Sequence, residues 1–265
     1  MKKKISTQKI YLFLIIAFFY LPIIYVVFFS FNASKSLTNF TGFSLQWYEK
    51  MFKTKAMMES IYYSVIIAVI ATIVSTIAGT IAAIGLSKSS KLIKELVTQV
   101  NNLPMLNPDI VTAIGLMLFF TTINMPTGFT TLLIAHIVFC IPYVMLSISP
   151  KLRQLDDNLA EAALDLGCTP FQALWKVIVP QIKEGIISGA LVAFTMSFDD
   201  FVISYFTTGP GINNISTYVY STTKRINPSV NALSTLIVVV ITIVLIIVNV
   251  IPLMKERKKV NEKVI

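Results

Sequence analysis

SIYYSVIIAVIATIVSTIAGTIAAIGLS, residues 60–87, carries no charged side chain from end to end. A helix rises about 1.5 Å per residue, so about 20 apolar residues cross the roughly 30 Å of hydrocarbon in a bilayer. Residues 60–87 are long enough to do so. Further along the chain, 110–150 and 226–254 are equally free of Asp, Glu, Lys and Arg. Each has room for one crossing, and 110–150 for two. Over the whole chain 55% of residues are apolar and 13% charged, against roughly 25% charged in ordinary globular proteins. Mean hydropathy is +0.75. These figures exclude a soluble globular chain.

The expected fold is all-α: a polytopic membrane protein built as a single transmembrane domain over 1–265. Its six spans fall at about 10–31, 60–87, 103–123, 128–148, 186–206 and 230–254. Asn124-Met-Pro-Thr-Gly128 is a strong turn signal between the third and fourth. The run from Ile10 to Phe31, behind Lys2, Lys3, Lys4 and Lys9, superficially resembles a secretory signal. It exceeds the usual core of about 7–15 residues and no small-x-small site follows, so it reads as a retained first helix.

Orientation follows from the basic residues, which favour the cytoplasmic side. With the N-terminus inside, segments 1–9, 88–102, 149–185 and 255–265 hold 16 of the 22 basic residues, and the outer segments hold 6. Both termini are expected in the cytoplasm of a bacterial cell. The net charge of +9 flanks spans, where it meets anionic headgroups. No basic aromatic module for nucleic acid is visible. Cys140 and Cys168 are too isolated for a zinc pattern or a disulfide framework, and no metal site is expected.

Residues 149–185 form the long inner loop. Asp156, Asp157 and Asn158 are N-cap candidates for a short helix over Leu159–Leu166. Gly167 stands where a left-handed C-terminal cap belongs. Thr169 then caps a second short helix, with Pro170 at its first position, Phe171, Leu174, Trp175 and Ile178 along it, and Pro180 at its end. A bare connector needs only a few polar residues, so two helices at a glycine corner suggest a docking knob.

Three carboxylates fall within the expected spans: Asp109, Asp199 and Asp200. A charge at the bilayer centre costs about 2.5–3.5 kcal/mol on insertion scales, and no span holds a Lys or Arg to neutralise it. They should face a polar pathway, bind a cation, take a proton, or hydrogen-bond a neighbouring helix. Asp109 is expected about six residues inside the third span. Asp199 and Asp200, about 100° apart on one helix, are expected in the outer part of the fifth. Phe194, Phe198, Phe201, Tyr205 and Phe206 surround the pair. Aromatic faces can hold amines by cation–π contact or simply pack and anchor. Trp47 and Tyr48, in the first outer loop, can touch substrate or anchor at the interface. His136, mid-span, reads as a satisfied packing residue rather than a proton relay.

Glu161-Ala162-Ala163, three residues, Gly167, nine residues, then Val177-Ile178-Val179-Pro180 resembles the EAA loop of ABC importer permeases. The resemblance implies that this loop forms coupling helices seated on a cytoplasmic ATPase. No G-x-x-x-x-G-K-[ST] phosphate loop is present, and Gly79 and Gly85 lie in an apolar span. ATP and Mg are therefore expected on a separate subunit, with no cofactor on this chain and no catalysis by it. Residues 194–210, 108–116 and 227–235 are similar to spermidine/putrescine importer permeases of the C-subunit type. That resemblance implies a type I importer domain, a heterodimer with a second permease, two ATPase copies and an extracytoplasmic polyamine-binding protein. On it, Asp199, Asp200, Asp109, Phe198, Tyr205 and Trp47 are pathway candidates. Glu161, Ala162, Ala163, Gly167 and Pro180 are coupling candidates. Another cationic or small polar solute, a secondary transporter using intramembrane aspartates, and an assembly anchor stay open as alternatives.

Overall fold

Without water to bond to, a backbone in hydrocarbon must satisfy its own N–H and C=O groups, and helices do this within one segment. A computed structural model describes residues 7–156, 158–222 and 227–246. In chain order the helices are α1 Thr7–Ser30, α2 Gln46–Lys53, α3 Lys55–Ser87, α4 Lys91–Leu106, α5 Asp109–Thr122 and α6 Phe129–Arg153. They continue with α7 Leu159–Asp165, α8 Pro170–Ala173, a π-turn Leu174–Ile178, α9 Val179–Gln181, α10 Lys183–Phe198, α11 Val202–Thr207, α12 Ile215–Thr222 and α13 Pro228–Leu245. The extended pairing among described residues is one isolated bridge, Asn32 to Phe43. The chain divides into two compact units, Met1–Met58 with Ser221–Ile265, and Glu59–Tyr220.

In the first unit α13 packs on α1 and α2. Only 6% of the apolar window in α1 is buried, an outward apolar surface suited to lipid or a membrane partner. The 31–45 loop folds around Asn32. Its Nδ2 donates to the carbonyls of Ser36 and Asn39 at 2.8 Å each, and its Oδ1 accepts from the Thr41 amide at 2.9 Å. Trp47 Nε1 donates to the Asn32 carbonyl at 2.6 Å.

In the second unit α10 lies against α6 along a stripe of small residues. Gly185, Gly189, Ala193 and Ser197, four apart, are the buried positions of α10. Small side chains let membrane helices approach closely. At Gly189 a Cβ would stand 3.3 Å from the Val144 Cα. Phe120, Phe139, Cys140, Met145, Ile148, Ile182 and Ile203 fill the core beside this seam.

Among the described residues three helices are long and apolar enough to cross a membrane, Gln8–Ser30, Lys55–Ser87 and Phe129–Arg153, and two bent pairs raise the number to five. The first, second and fourth expected spans thus form as continuous helices. The third does not: α4 and α5 meet at 106°. Pro108 is the cause, because its ring disfavours helical geometry at the preceding residue, and Asn107 is extended at φ −84°, ψ 146°. The 14 residues of α5 reach only about 21 Å. The fifth expected span also breaks, after Phe198, and its α10 meets the preceding segment Pro170–Gln181 at 72°. The sixth is represented by α13; residues 247–254, the charged termini 1–6 and 255–265, and Asp157 lie outside the described residues.

Candidate functional site

Asp199 and Asp200 occupy the gap between α10 and α11 rather than the middle of one helix. The gap is local chemistry. Asp200 turns its carboxylate onto the start of α11, accepting from the amides of Ile203 at 3.3 Å and Ser204 at 2.7 Å. Short polar side chains that bond nearby amides compete with helix continuation and cap the next helix. Asp199 closes α10, its amide reaching the Thr195 carbonyl at 3.4 Å. The two side chains therefore do not share one helix face 100° apart.

Their environments differ sharply. The Asp200 side chain is 7% exposed and His136 1%. Ser204 Oγ donates to Asp200 Oδ2 at 2.8 Å and accepts from Asn214 Nδ2 at 2.7 Å. His136 Nε2 lies 2.9 Å from the same hydroxyl, and Nδ1 lies 2.7 Å from Ser197 Oγ. A hydroxyl has one proton and two acceptor sites. With its proton on Asp200, Ser204 accepts from Nε2–H, and Nδ1 shares a hydrogen bond with Ser197. Both ring nitrogens of His136 are satisfied, the packing role expected of it. Asn214 Nδ2 also donates to the Asp200 carbonyl at 2.8 Å. Asp200 is thus tied to α6, α11 and the turn before α12.

Asp199 is exposed and has no ion pair among the described residues. Ser216 Oγ donates to its carbonyl at 3.0 Å, which braces the gap from α12. Beginning two residues after Asp199, three rings cluster: Phe201 to Tyr220 at 4.9 Å, Phe201 to Tyr205 at 5.5 Å and Tyr205 to Tyr220 at 5.6 Å. Tyr205 is 50% and Tyr220 55% exposed. Phe198 stacks on Phe194 at 5.7 Å along α10. An accessible carboxylate and half-exposed tyrosine rings on adjoining segments are groups that suit an ammonium ion.

The other pathway candidates fall elsewhere. Asp109 is exposed in the first turn of α5, after Pro108, and not six residues inside a span. A helix N-terminus favours a negative charge there. Trp47 is 5% exposed and fully engaged inside its own unit by Asn32, so its ring packs and offers no open face. Tyr220, Asn214 and Ser216 were not among the sequence candidates. They follow α11 by a loop, and no spacing in the sequence ties them to the aspartates.

The knob forms as a hairpin. At the end of α7 the Cys168 amide bonds the Ala163 carbonyl at 3.0 Å and the Gly167 amide bonds that of Leu164 at 2.9 Å. This is a Schellman cap, and Gly167 takes φ +85° as that cap requires. Thr169 Oγ1 accepts from the Gln172 amide at 3.3 Å, and Gln172 Oε1 accepts from the Thr169 amide at 3.1 Å. Asp156 accepts from the Asn158 amide at 2.9 Å instead of capping α7 itself. The π-turn ahead of Pro180 has a clear cause: proline lacks an N–H and clashes with the carbonyl four residues back, and the wider turn relieves that contact. Glu161, Ala162, Gly167 and Pro180 are exposed, and Ala163 is buried as a spacer. Leu166 at 87%, Phe171 at 70% and Trp175 at 54% exposure leave an uncovered apolar surface on the hairpin.

A family model described as Binding-protein-dependent transport system inner membrane component matches residues 75–252. The chain belongs to this family. Putrescine transport system permease protein PotI of Escherichia coli (strain K12) is 36% identical over 239 residues, covering 86% of this chain and 84% of PotI. Spermidine/putrescine transport system permease protein PotC of Haemophilus influenzae is 35% identical, covering 91% and 94%. PotC of Escherichia coli (strain K12) is 33% identical, covering 89% of each. A crystal structure of a bacterial ABC transporter involved in import of the acidic polysaccharide alginate shares the fold, with TM-score 0.69, 16% identity and coverage of 92% and 94%. This inner membrane component is the non-catalytic permease subunit of an ATP-driven importer, a multi-pass protein of the bacterial inner membrane. It works with an ATPase and a substrate-binding partner.

Proposed function

We propose that this permease carries polyamines such as putrescine and spermidine into the cytoplasm, with Asp199 meeting the ammonium groups. The observation that carries the proposal is the exposed Asp199 carboxylate, two residues before the first ring of the Phe201–Tyr205–Tyr220 cluster. The similarity to permeases named for putrescine and spermidine supports it. A flexible polycation gains from a carboxylate with no ion pair among the described residues and from ring faces that attract ammonium groups. Asp200 serves a different purpose, holding the gap open by capping α11. Asp109 and Phe198 contribute charge and a ring edge to the same passage, and Trp47 braces the outer loop.

In this reading the hairpin faces the cytoplasm with both termini. Its apolar ridge, Leu166, Phe171 and Trp175, seats in one of two ATPase copies, which bind the ATP and Mg. A second, related permease completes the passage, and a polyamine-binding protein delivers solute from outside. Uptake of radiolabelled putrescine and spermidine, in cells lacking their own polyamine importers, tests the assignment. Saturable uptake that falls about tenfold in Asp199→Asn, with the complex intact, supports it; tenfold corresponds to about 1.4 kcal/mol. Wild-type kinetics in Asp199→Asn refute it.

A further inference from the structure

A cavity of about 610 Å³ lies between the ends of α3 and α6, the helix α4 and the inner side of the hairpin. None of the transport roles assigned above uses it. Its lining combines three cations, Lys88, Lys94 and Arg153, with one carboxylate, Asp156. Among the described residues none of the three cations has a salt bridge. Asp156 is engaged by the Asn158 amide. The site is therefore positively charged, with Asn101, Asn102 and Thr98 adding neutral polar groups.

The helix α4 divides cleanly around this cavity. Lys94, Thr98, Asn101 and Asn102, spaced as one helical face, line it. The opposite stripe of Ile93, Leu96, Val97 and Val100 is exposed at 41–65%. No residue of α4 is buried. A polar face turned onto protein and an apolar face turned away inverts the order of a soluble helix. It suits a strap lying where headgroups meet hydrocarbon. The opening thus offers cations within and apolar side chains without.

We propose that this cavity binds the phosphate group of an anionic phospholipid, with Lys88, Lys94 and Arg153 around the phosphate and the acyl chains along the apolar stripe of α4. Basic pockets between membrane helices recognise such headgroups, and the volume falls within the roughly 300–1,000 Å³ of small-ligand sites. Hairpin residues Ala160, Leu164, Pro170 and Leu174 form one wall. A bound lipid therefore ties the hairpin to α3 and α4.

The test is native mass spectrometry of the delipidated, assembled importer titrated with phosphatidylglycerol or phosphatidylcholine. Wild type should retain phosphatidylglycerol selectively. A Lys94→Gln/Arg153→Gln variant should bind it roughly thirtyfold more weakly, from two lost cation contacts near a headgroup. Lys88→Gln alone should weaken it roughly fivefold. Lys91→Gln, on the same helix but outside the cavity, should leave binding unchanged. Equal retention by wild type and the double variant overturns the proposal, as does equal weakening by Lys91→Gln. Assembly of each variant is checked by co-purification; if the double variant fails to assemble, the two single substitutions at Lys88 and Lys94 decide. A fourth arm adds inorganic phosphate to importer in phosphatidylcholine. Thermal stabilisation by phosphate that disappears in the double variant, without selective lipid retention, makes the occupant a soluble phosphate and overturns the lipid.

Discussion

Replacing Asp199 and Asp200 one at a time should separate transport from folding, although the two residues are adjacent. Asp200→Ala removes the acceptor for the Ile203 and Ser204 amides and for the Ser204 hydroxyl. Loss of a helix-capping side chain costs about 0.5–2 kcal/mol, and a buried donor left without an acceptor about 1–3 kcal/mol. These losses share groups and do not simply add, so the expected sum is about 2–4 kcal/mol. At roughly 2–4 °C per kcal/mol for a chain of this size, the purified importer should melt roughly 5–15 °C lower. Asp200→Asn keeps a capping oxygen and should lose less. Asp199→Ala removes an exposed side chain, and such changes usually fall within about 0.5 kcal/mol. Its midpoint should hold while polyamine uptake drops about tenfold. The assay pairs thermal midpoints in detergent with initial uptake rates at matched membrane content. An Asp200→Ala protein with an unchanged midpoint would refute the capping argument, and an equal loss of stability in both variants would refute the separation of roles.

Three further outcomes follow from the geometry. Gly167→Val places a β-branched residue at φ +85°, which costs about 1–2 kcal/mol or more; membrane insertion should persist while the ATPase no longer co-purifies. Gly189→Val drives a side chain toward the Val144 backbone at 3.3 Å, and overpacking of about 1–3 kcal/mol should lower both yield and thermal midpoint. Trp47→Phe removes the donor to the Asn32 carbonyl, so the 31–45 loop should be cleaved faster by protease added to right-side-out or inverted vesicles, whichever exposes it.

Uncharged length made the membrane class and the continuous helices readable from composition, because the bilayer tests each residue separately for charge. The Gly167 cap and the Thr169–Pro170 start were readable for a related reason: both depend on residues within one turn. The break in the third span is hidden by apolar continuity and follows from the effect of Pro108 on Asn107. The fifth span misled for a subtler reason. Asp200 breaks the helix by bonding amides three and four residues on, and that bond competes evenly with helix continuation until His136, Ser197 and Asn214 close around it. Those partners come from α6, α10 and the loop before α12, so only the folded unit selects the break. The same reasoning separates the two aspartates. In sequence they are equivalent carboxylates in an apolar run. Once Asp200 satisfies the backbone, Asp199 is left as an exposed carboxylate, so the helix break and the cation contact proposed for Asp199 arise from one event.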